Sequence, residues 1–311
     1  MMIKVSVIIP IYGVEQYIGR CATSLFEQTL DDIEFIFVND CTKDNSIGNL
    51  KKVIEKYPRR KDCIQIINHI ENLGLPTARR TGLGYVHGEY IAHCDSDDWV
   101  ELNAYETLYN EAVKNKADLV WCDYYRSDGN NNVLISTSNQ PKLMQGPVWN
   151  KLIKASLYTE DITFPTANKA EDGALLTQLS YYSQKRTYVP QPLYYYFINP
   201  DSICGNISED ACLKKMSQEI DNVLLREQFL KKNGIYNENI DLVLRWKMLC
   251  RKNIIPILRK RKYYKLWKST FPEIDKHYLL SSGINFRMKI AYILIRLRLD
   301  RIFNTIVNKW A

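Results

Sequence analysis

The sequence predicts an α/β fold with a mostly parallel central sheet, followed by a helical C-terminal region. Three observations carry this expectation: apolar runs alternate with segments of helical period, a carboxylate cluster closes one of those runs, and the charge changes sign along the chain. Strands buried on both faces read as near-continuous apolar runs, and strand–helix alternation is the signature of a parallel sheet.

The elements follow in order. Ile3–Pro10 is the first apolar run; Ile18, Ala22, Leu25 and Phe26 then recur at helical spacing within a helix expected from Val14 to Thr29. Ile33–Val38 is a second run, closed by Asn39-Asp40, and a helix is expected from Asn45 to Tyr57 with Pro58 as its stop signal. Cys63–Ile67 is a third run, Thr77–His87 a third helix ended by Gly88, and Tyr90–Cys94 a fourth run. A helix from Asn103 to Lys116 and a strand over Asp118–Cys122 continue the pattern. The polar stretch Ser127–Gln140 predicts a surface loop or hairpin, Glu171–Ser180 a helix, and Val189–Phe197 an aromatic strand-like run. Beyond Cys204 the texture is that of long amphipathic helices with no β signal.

At 311 residues, with 46% hydrophobic and 25% charged residues, the chain is an ordinary globular protein able to bury a full core. Its formal charge of +7 divides into −5 over residues 1–205 and +12 over residues 206–311. That division predicts an acidic catalytic body over 1–205 and a basic helical region over 206–311 that faces something anionic. The eight cysteines form no CxxC pair and are expected to be reduced thiols of a cytosolic protein. The N-terminal run is closed by Pro10 and lacks a signal-peptide cleavage pattern, and no segment is long and apolar enough to cross a membrane.

Asp95-Ser96-Asp97-Asp98 is the chemically loudest segment. A helix cap needs one carboxylate, and three within four residues exceed that need. At the carboxyl end of a parallel strand such a cluster lies where open α/β sheets bind ligands. A divalent cation shared with a phosphate ligand would hold the charges together. Asp40 closes the second run and can share that crevice, although alone it also reads as a turn residue. Glu171-Asp172, read without further context, are first-turn helix acids. Trp149 and Tyr194–Tyr196, with Lys151 beside Trp149 in sequence, read on their own as core and interface residues.

These residues resemble family-2 glycosyltransferases. Val5–Tyr12 with Tyr17-Ile18 and Ser24–Thr29, then Ile33–Ser46, Asn72–Arg79 and Gly88–Trp99, are similar to the family's successive blocks in order and spacing. Val148–Leu152, Ala170-Glu171-Asp172 and Pro192–Tyr196 resemble its acceptor half, so the resemblance covers about residues 3–205. It implies a GT-A-like nucleotide-binding fold over 1–205, with a nucleotide-sugar half of about 1–100 and an acceptor half of about 101–205. The same resemblance implies an inverting transfer from a nucleotide-sugar, typically a UDP-sugar, assisted by Mn²⁺ or Mg²⁺. It further implies that Asp40 meets the base, that Pro10 and Tyr12 line the base and ribose site, and that Arg79 contacts base or phosphates. By the same resemblance Asp95 sits near ribose and metal, Asp97 is the principal metal ligand and Asp172 the catalytic base, while Trp149, Lys151 and Glu171 are acceptor-side candidates. Two departures stand out: Asn39 replaces a usual Asp, and Cys41-Thr42-Lys43 a common Gly-Ser-Thr.

The tail adds a partner. Arg259–Lys268 mixes cations with aromatics, and Met288, Ile295, Leu299, Ile302, Ile306 and Trp310 fall on one helical stripe flanked by Arg287, Arg298, Arg301 and Lys309. This pattern suits a helix lying on an anionic leaflet, which points to a lipid-linked glycan acceptor and attachment to the cytoplasmic face of the membrane. The same pattern also fits helices packed on the catalytic body. Nucleic acid is not expected, because no recognition module accompanies the basic run. Two rivals remain at this level: a sugar-phosphate nucleotidyltransferase, which the lack of a Gly-rich cationic loop at Ile11–Glu15 opposes, and an inactive binding relic, which the retained acids oppose.

Overall fold

Val, Ile and Phe occupy both faces of the first strands, and the structure buries them accordingly. The computed structural model describes residues 2–199, 207–279 and 286–299, and the chain divides into two compact units, Met1–Ser202 and Ile203–Ala311.

In the first unit β1 (Val5–Ile11), α1 (Ile18–Phe26), β2 (Ile33–Asn39), α2 (Ser46–Ile54), β3 (Ile64–Asn68), α3 (Leu75–Leu83) and β4 (Tyr90–His93) follow one another. Every residue of β1 and β4 is buried. β1 pairs in parallel with β2 on one side and β4 on the other, and β3 extends the sheet beyond β2. All four strands therefore deliver their carboxyl ends to one edge. The helix α3 ends at Leu83, short of the expected His87, and lies close on β1: a Cβ at Gly82 would come 2.6 Å from Ile8 Cγ2.

The second half of this unit adds β5 (Trp99–Val100), α4 (Ala104–Asn115), β6 (Leu119–Ser127), β7 (Asn132–Ile135), β8 (Lys151–Lys154), α5 (Glu171–Tyr182) and β9 (Arg186–Phe197). The strand order is β3-β2-β1-β4-β8-β6-β9-β5, with β7 paired to β6. β8 runs antiparallel to both β4 and β6, whereas β9 is parallel to β6. The β6–β9 register jumps between Cys122 and Asp123, opposite Pro190 and Pro192, which have no N–H to give the ladder. The predicted hairpin is present as β6–β7, its turn held by Asp128 Oδ1, which accepts from Asn130 and Asn131 N–H.

The second unit contains α6 (Glu209–Lys232), α7 (Ile240–Lys252), α8 (Arg261–Ser269), α9 (Ile274–His277) and α10 (Phe286–Arg296), and no strand among the described residues. Its core joins Met216, Met248, Trp267, Tyr292 and Ile295. That placement corrects the expected membrane stripe at Ile295, which faces the unit's own core, whereas Leu299 of the same stripe is exposed, as are the neighbouring Phe286, Ile293 and Leu297. Ile302, Ile306, Trp310 and Cys204 lie outside the described residues, as does the side chain of Met288. The other seven cysteines are free thiols. No described helix is long and apolar enough to cross a membrane.

Candidate active site

The strand ends place the site. Leaving β1, Tyr12 is 52% exposed and Gly13 takes a φ of +69° that suits glycine. Gly13 N–H donates to Thr42 Oγ1 at 2.9 Å, Val14 N–H to Ser46 Oγ at 3.1 Å and Glu15 N–H to Asp44 Oδ2 at 2.9 Å. These bonds lace the β1–α1 and β2–α2 loops into one rim. Pro10 is buried within β1, opposite Val38.

Asp40 is held inside the loop that follows β2. It is 3% exposed, and its carboxylate accepts from Leu73 N–H, Gly74 N–H and His69 Nδ1, each at 2.8 Å. A buried carboxylate with three donors is satisfied within the loop, as a turn residue would be. Asp40 thereby fixes the chain at Gly74, where α3 begins. Asn39 is the half-buried group at this strand end, its Nδ2 donating to Asn68 Oδ1 at 2.9 Å.

From α3, Arg79 reaches three carboxylates while its side chain is only 3% exposed. Nη2 donates to Asp95 Oδ1 at 2.7 Å; Nη1 donates to Asp172 Oδ1 at 2.5 Å and to Glu171 Oε1 at 3.1 Å. Burial lowers the guanidinium's pKa, but Asp172, Asp95 and Glu171 more than offset it and hold Arg79 above its ordinary value. Arg79 thus links the end of β4 to the start of α5.

Asp172 and Glu171 stand in the first turn of α5, where the helix dipole favours negative charge. Val148 N–H adds a 3.2 Å bond to Asp172 Oδ2. Glu171 is buried, and burial followed by the neighbouring Asp172 pushes its carboxyl up to about 8 against the pull of Arg79. Asp95 is pushed up to about 6 by burial, with Asp172 and Asp97 adding to it and Arg79 opposing.

The three acids after β4 separate by geometry. Asp98 is not the helix cap its position suggests: it is 1% exposed and accepts from Tyr194 O–H at 2.6 Å and Phe197 N–H at 2.7 Å, tying the acidic turn to β9. Asp97 Oδ2 accepts from Asn199 Nδ2 at 3.0 Å, and Arg20 Nη2 holds the Asp97 carbonyl at 2.9 Å. Among the described residues no hydrogen bond engages Asp95 Oδ2 or Asp97 Oδ1. Two partly exposed carboxylates fit Mg²⁺ or Mn²⁺, which bind through one or two carboxylates plus substrate phosphates. No described group of three or more His, Cys, Asp and Glu side chains forms a self-sufficient metal cage.

Trp149 and Lys151 are not presented to a groove. Trp149 is 7% exposed, stacked on Tyr194 at 4.3 Å and on Tyr196 at 5.5 Å, and belongs to the main core. Lys151 is 1% exposed and donates to Pro147 O and Asn150 Oδ1; burial brings its ammonium down to about 8. His69, Asn199 and the hydroxyl of Tyr194 hold the acids in place; the sequence singles out Tyr194 only as an aromatic and marks neither His69 nor Asn199 for the site. Asn199 lies 102 residues from Asp97, and no local pattern links them.

The fold and the crevice together define a GT-A-like α/β protein with an acidic site at the carboxyl edge of its sheet. The chain belongs to glycosyl transferase family 2, whose match spans residues 6–176. GlyA of Streptococcus pneumoniae serotype 4 is 34% identical over 243 residues, covering 70% of this chain and 34% of its own length. The poly(ribitol-phosphate) β-glucosyltransferase of Bacillus spizizenii is 30% identical over 207 residues, covering 63% of this chain and 32% of its own length. This chain therefore corresponds to about a third of each of these relatives. The crystal structure of S. aureus TarS 1–349 with UDP-GlcNAc shares the fold at a TM-score of 0.59 and 16% identity, over 88% of this chain and 91% of that one.

Proposed function

We propose that this chain is an inverting, metal-dependent glycosyltransferase that moves a sugar from a nucleotide-sugar, specifically a UDP-sugar, to a hydroxyl of a glycan or lipid-linked glycan. The observation that carries the reading is the meeting of Asp95 and Asp172, one from the end of β4 and one from the start of α5, on a single guanidinium. The UDP-GlcNAc bound to TarS and the polymer-glycosylating relative support the donor class and the glycan acceptor.

In this reading Tyr12, Pro10 and Asn39 line the nucleotide. Asp97 and Asp95 would hold Mn²⁺ or Mg²⁺, which when bound offsets the charge that develops on the leaving diphosphate. Asp172 takes the proton from the acceptor hydroxyl as its oxygen attacks the anomeric carbon opposite the departing phosphate. One displacement inverts the anomeric configuration. The first 202 residues would form the catalytic body and the remainder a basic accessory unit, in place of a boundary at 205.

The accessory unit would meet an anionic membrane surface on the cytoplasmic side. Its α8 turns Tyr263 and Trp267 inward and leaves Arg261, Lys262, Lys265 and Lys268 exposed. On α10, Phe286 and Ile293 recur at a spacing of seven residues, which puts them on one outward face, and the exposed Leu297 follows just past the helix end.

The test is release of free nucleoside diphosphate from a panel of nucleotide-sugars, with and without Mn²⁺, in the presence of a membrane lipid extract as acceptor. Manganese-dependent release is expected, with Asp97→Ala and Asp172→Asn each lowering it by about 10²–10⁴-fold. Activity within threefold of wild type in either variant would remove that residue from the mechanism.

A further inference from the structure

We infer that Arg79 is a positioning residue that couples the donor-side carboxylate Asp95 to the proton-accepting Asp172. The inference rests on the proposed role of Asp172 as the base. Arg79 has the wrong exposure for a phosphate contact: 3% of its side chain reaches solvent, and both Nη atoms are occupied by carboxylates.

Its geometry suits a spacer instead. The guanidinium is planar and rigid, so two carboxylates bonded to its two Nη atoms are held at a separation set by covalent structure. Asp95 sits on one and Asp172 on the other, at 2.7 and 2.5 Å. The spacer is itself anchored. Asp40 pins Leu73 and Gly74 at the start of α3, and a Cβ on Gly74 would lie 2.6 Å from Asn168 Oδ1, three residues before α5. The helix that carries the arginine is thus wedged against the segment that leads into the base. A lysine would keep the charge but, as a point charge on a flexible stem, would not fix the spacing.

Arg79→Lys tests this, with kcat and donor KM measured in the transfer assay and UDP–Mn²⁺ affinity measured by calorimetry. Turnover is expected to fall by about two orders of magnitude, with UDP affinity and donor KM within threefold of wild type. In an Asp172→Asn background the same change should cost less than a further threefold, because the arginine acts through the residue already removed. Loss of UDP affinity by tenfold or more with turnover retained would make Arg79 a nucleotide contact and overturn the inference. So would an unchanged turnover.

If Arg79→Lys fails to fold, Asp172→Asn alone is the second arm. Released from Asp172, the guanidinium neutralises Asp95 more fully, and Mn²⁺-dependent UDP affinity should fall by threefold or more. Unchanged affinity would show that the two acids are uncoupled. If Asp172→Asn keeps wild-type activity, the base assignment fails; if it is inactive while Arg79→Lys is not, only the coupling fails.

Discussion

Arg79 in the first unit and Arg251 in the second are both buried, yet their surroundings differ in kind. Arg251 gives Nε to Thr270 O, Nη2 to Lys268 O and Phe271 O, and Nη1 to Asp275 Oδ1. Most of its partners are backbone carbonyls at the end of α8 and just beyond it, and its carboxylate partner also accepts from Arg296 and Tyr292. Arg79 faces three carboxylates and no carbonyl, while its Nε is buried without a partner. A buried cation consumed by main chain holds a fold together. A buried cation outnumbered by carboxylates leaves residual negative charge at a crevice, which is what a cationic cofactor or a proton-donating substrate would use.

That contrast breaks most sharply through Arg251→Met. Removing one partner of a buried ion pair leaves the other uncompensated, so unfolding should become easier by about 3 kcal/mol. The measurement is denaturant unfolding beside the transfer assay. Transfer per folded molecule should stay at the wild-type level, and a lost turnover with an intact fold would make the second unit part of the catalytic machinery.

A smaller effect separates the two regions by pH. In the folded chain Glu171 keeps its proton up to about 8, because burial and then Asp172 disfavour its charge. The unfolded chain releases that proton near 4.5, so between these values the folded state holds more protons and stability falls as pH rises. Asp275 has the opposite sign. Burial raises its pKa, but Tyr292, Arg251 and Arg296 outweigh burial, so its contribution is present above the ordinary carboxylate range and lost as pH falls. Metal-free protein should therefore lose stability from pH 5 to pH 8, by on the order of 1 kcal/mol per pH unit at most. Glu171→Gln should flatten that slope in thermal melts, and an unaltered slope would place the titration elsewhere.

The sequence shows the first of these regions better than the second, for physical reasons. β1 and β2 are legible because strands buried on both faces need unbroken apolar runs, and the acids after β4 are legible because three charges rarely follow such a run. What the acids do individually is not local information. Asp98 is tied to Tyr194 and Phe197, 96 and 99 residues on, and Arg79 reaches Asp172 across 93 residues. Asp40 looks like a ligand in the sequence and is a loop anchor in the fold, since only the fold brings Leu73 and Gly74 N–H to it. Aromatic character misleads at Trp149 for a related reason: the residue types of a sugar platform and of a packed core are the same. In the second unit, amphipathic period shows that helices exist but not which stripe turns inward, so Ile295 reads as exposed until Tyr292 and Trp267 are placed beside it.

The last and smallest effect concerns that second region's outer face. Each exposed basic residue near an anionic leaflet contributes about 1 kcal/mol, attenuated within a Debye length. Lys265 and Lys268 on α8 are exposed, whereas the buried Tyr263 and Trp267 of the same helix belong to packing. Lys265→Ala and Lys268→Ala should each weaken binding to vesicles containing phosphatidylserine by about fivefold, with no change on neutral phosphatidylcholine vesicles. High salt should erase the difference, because the interaction is between exposed charges. Equal binding of wild type and both variants to anionic vesicles would assign this basic face to solvation alone. The exposed Phe286 and Ile293 of α10 would then have to be explained without a membrane.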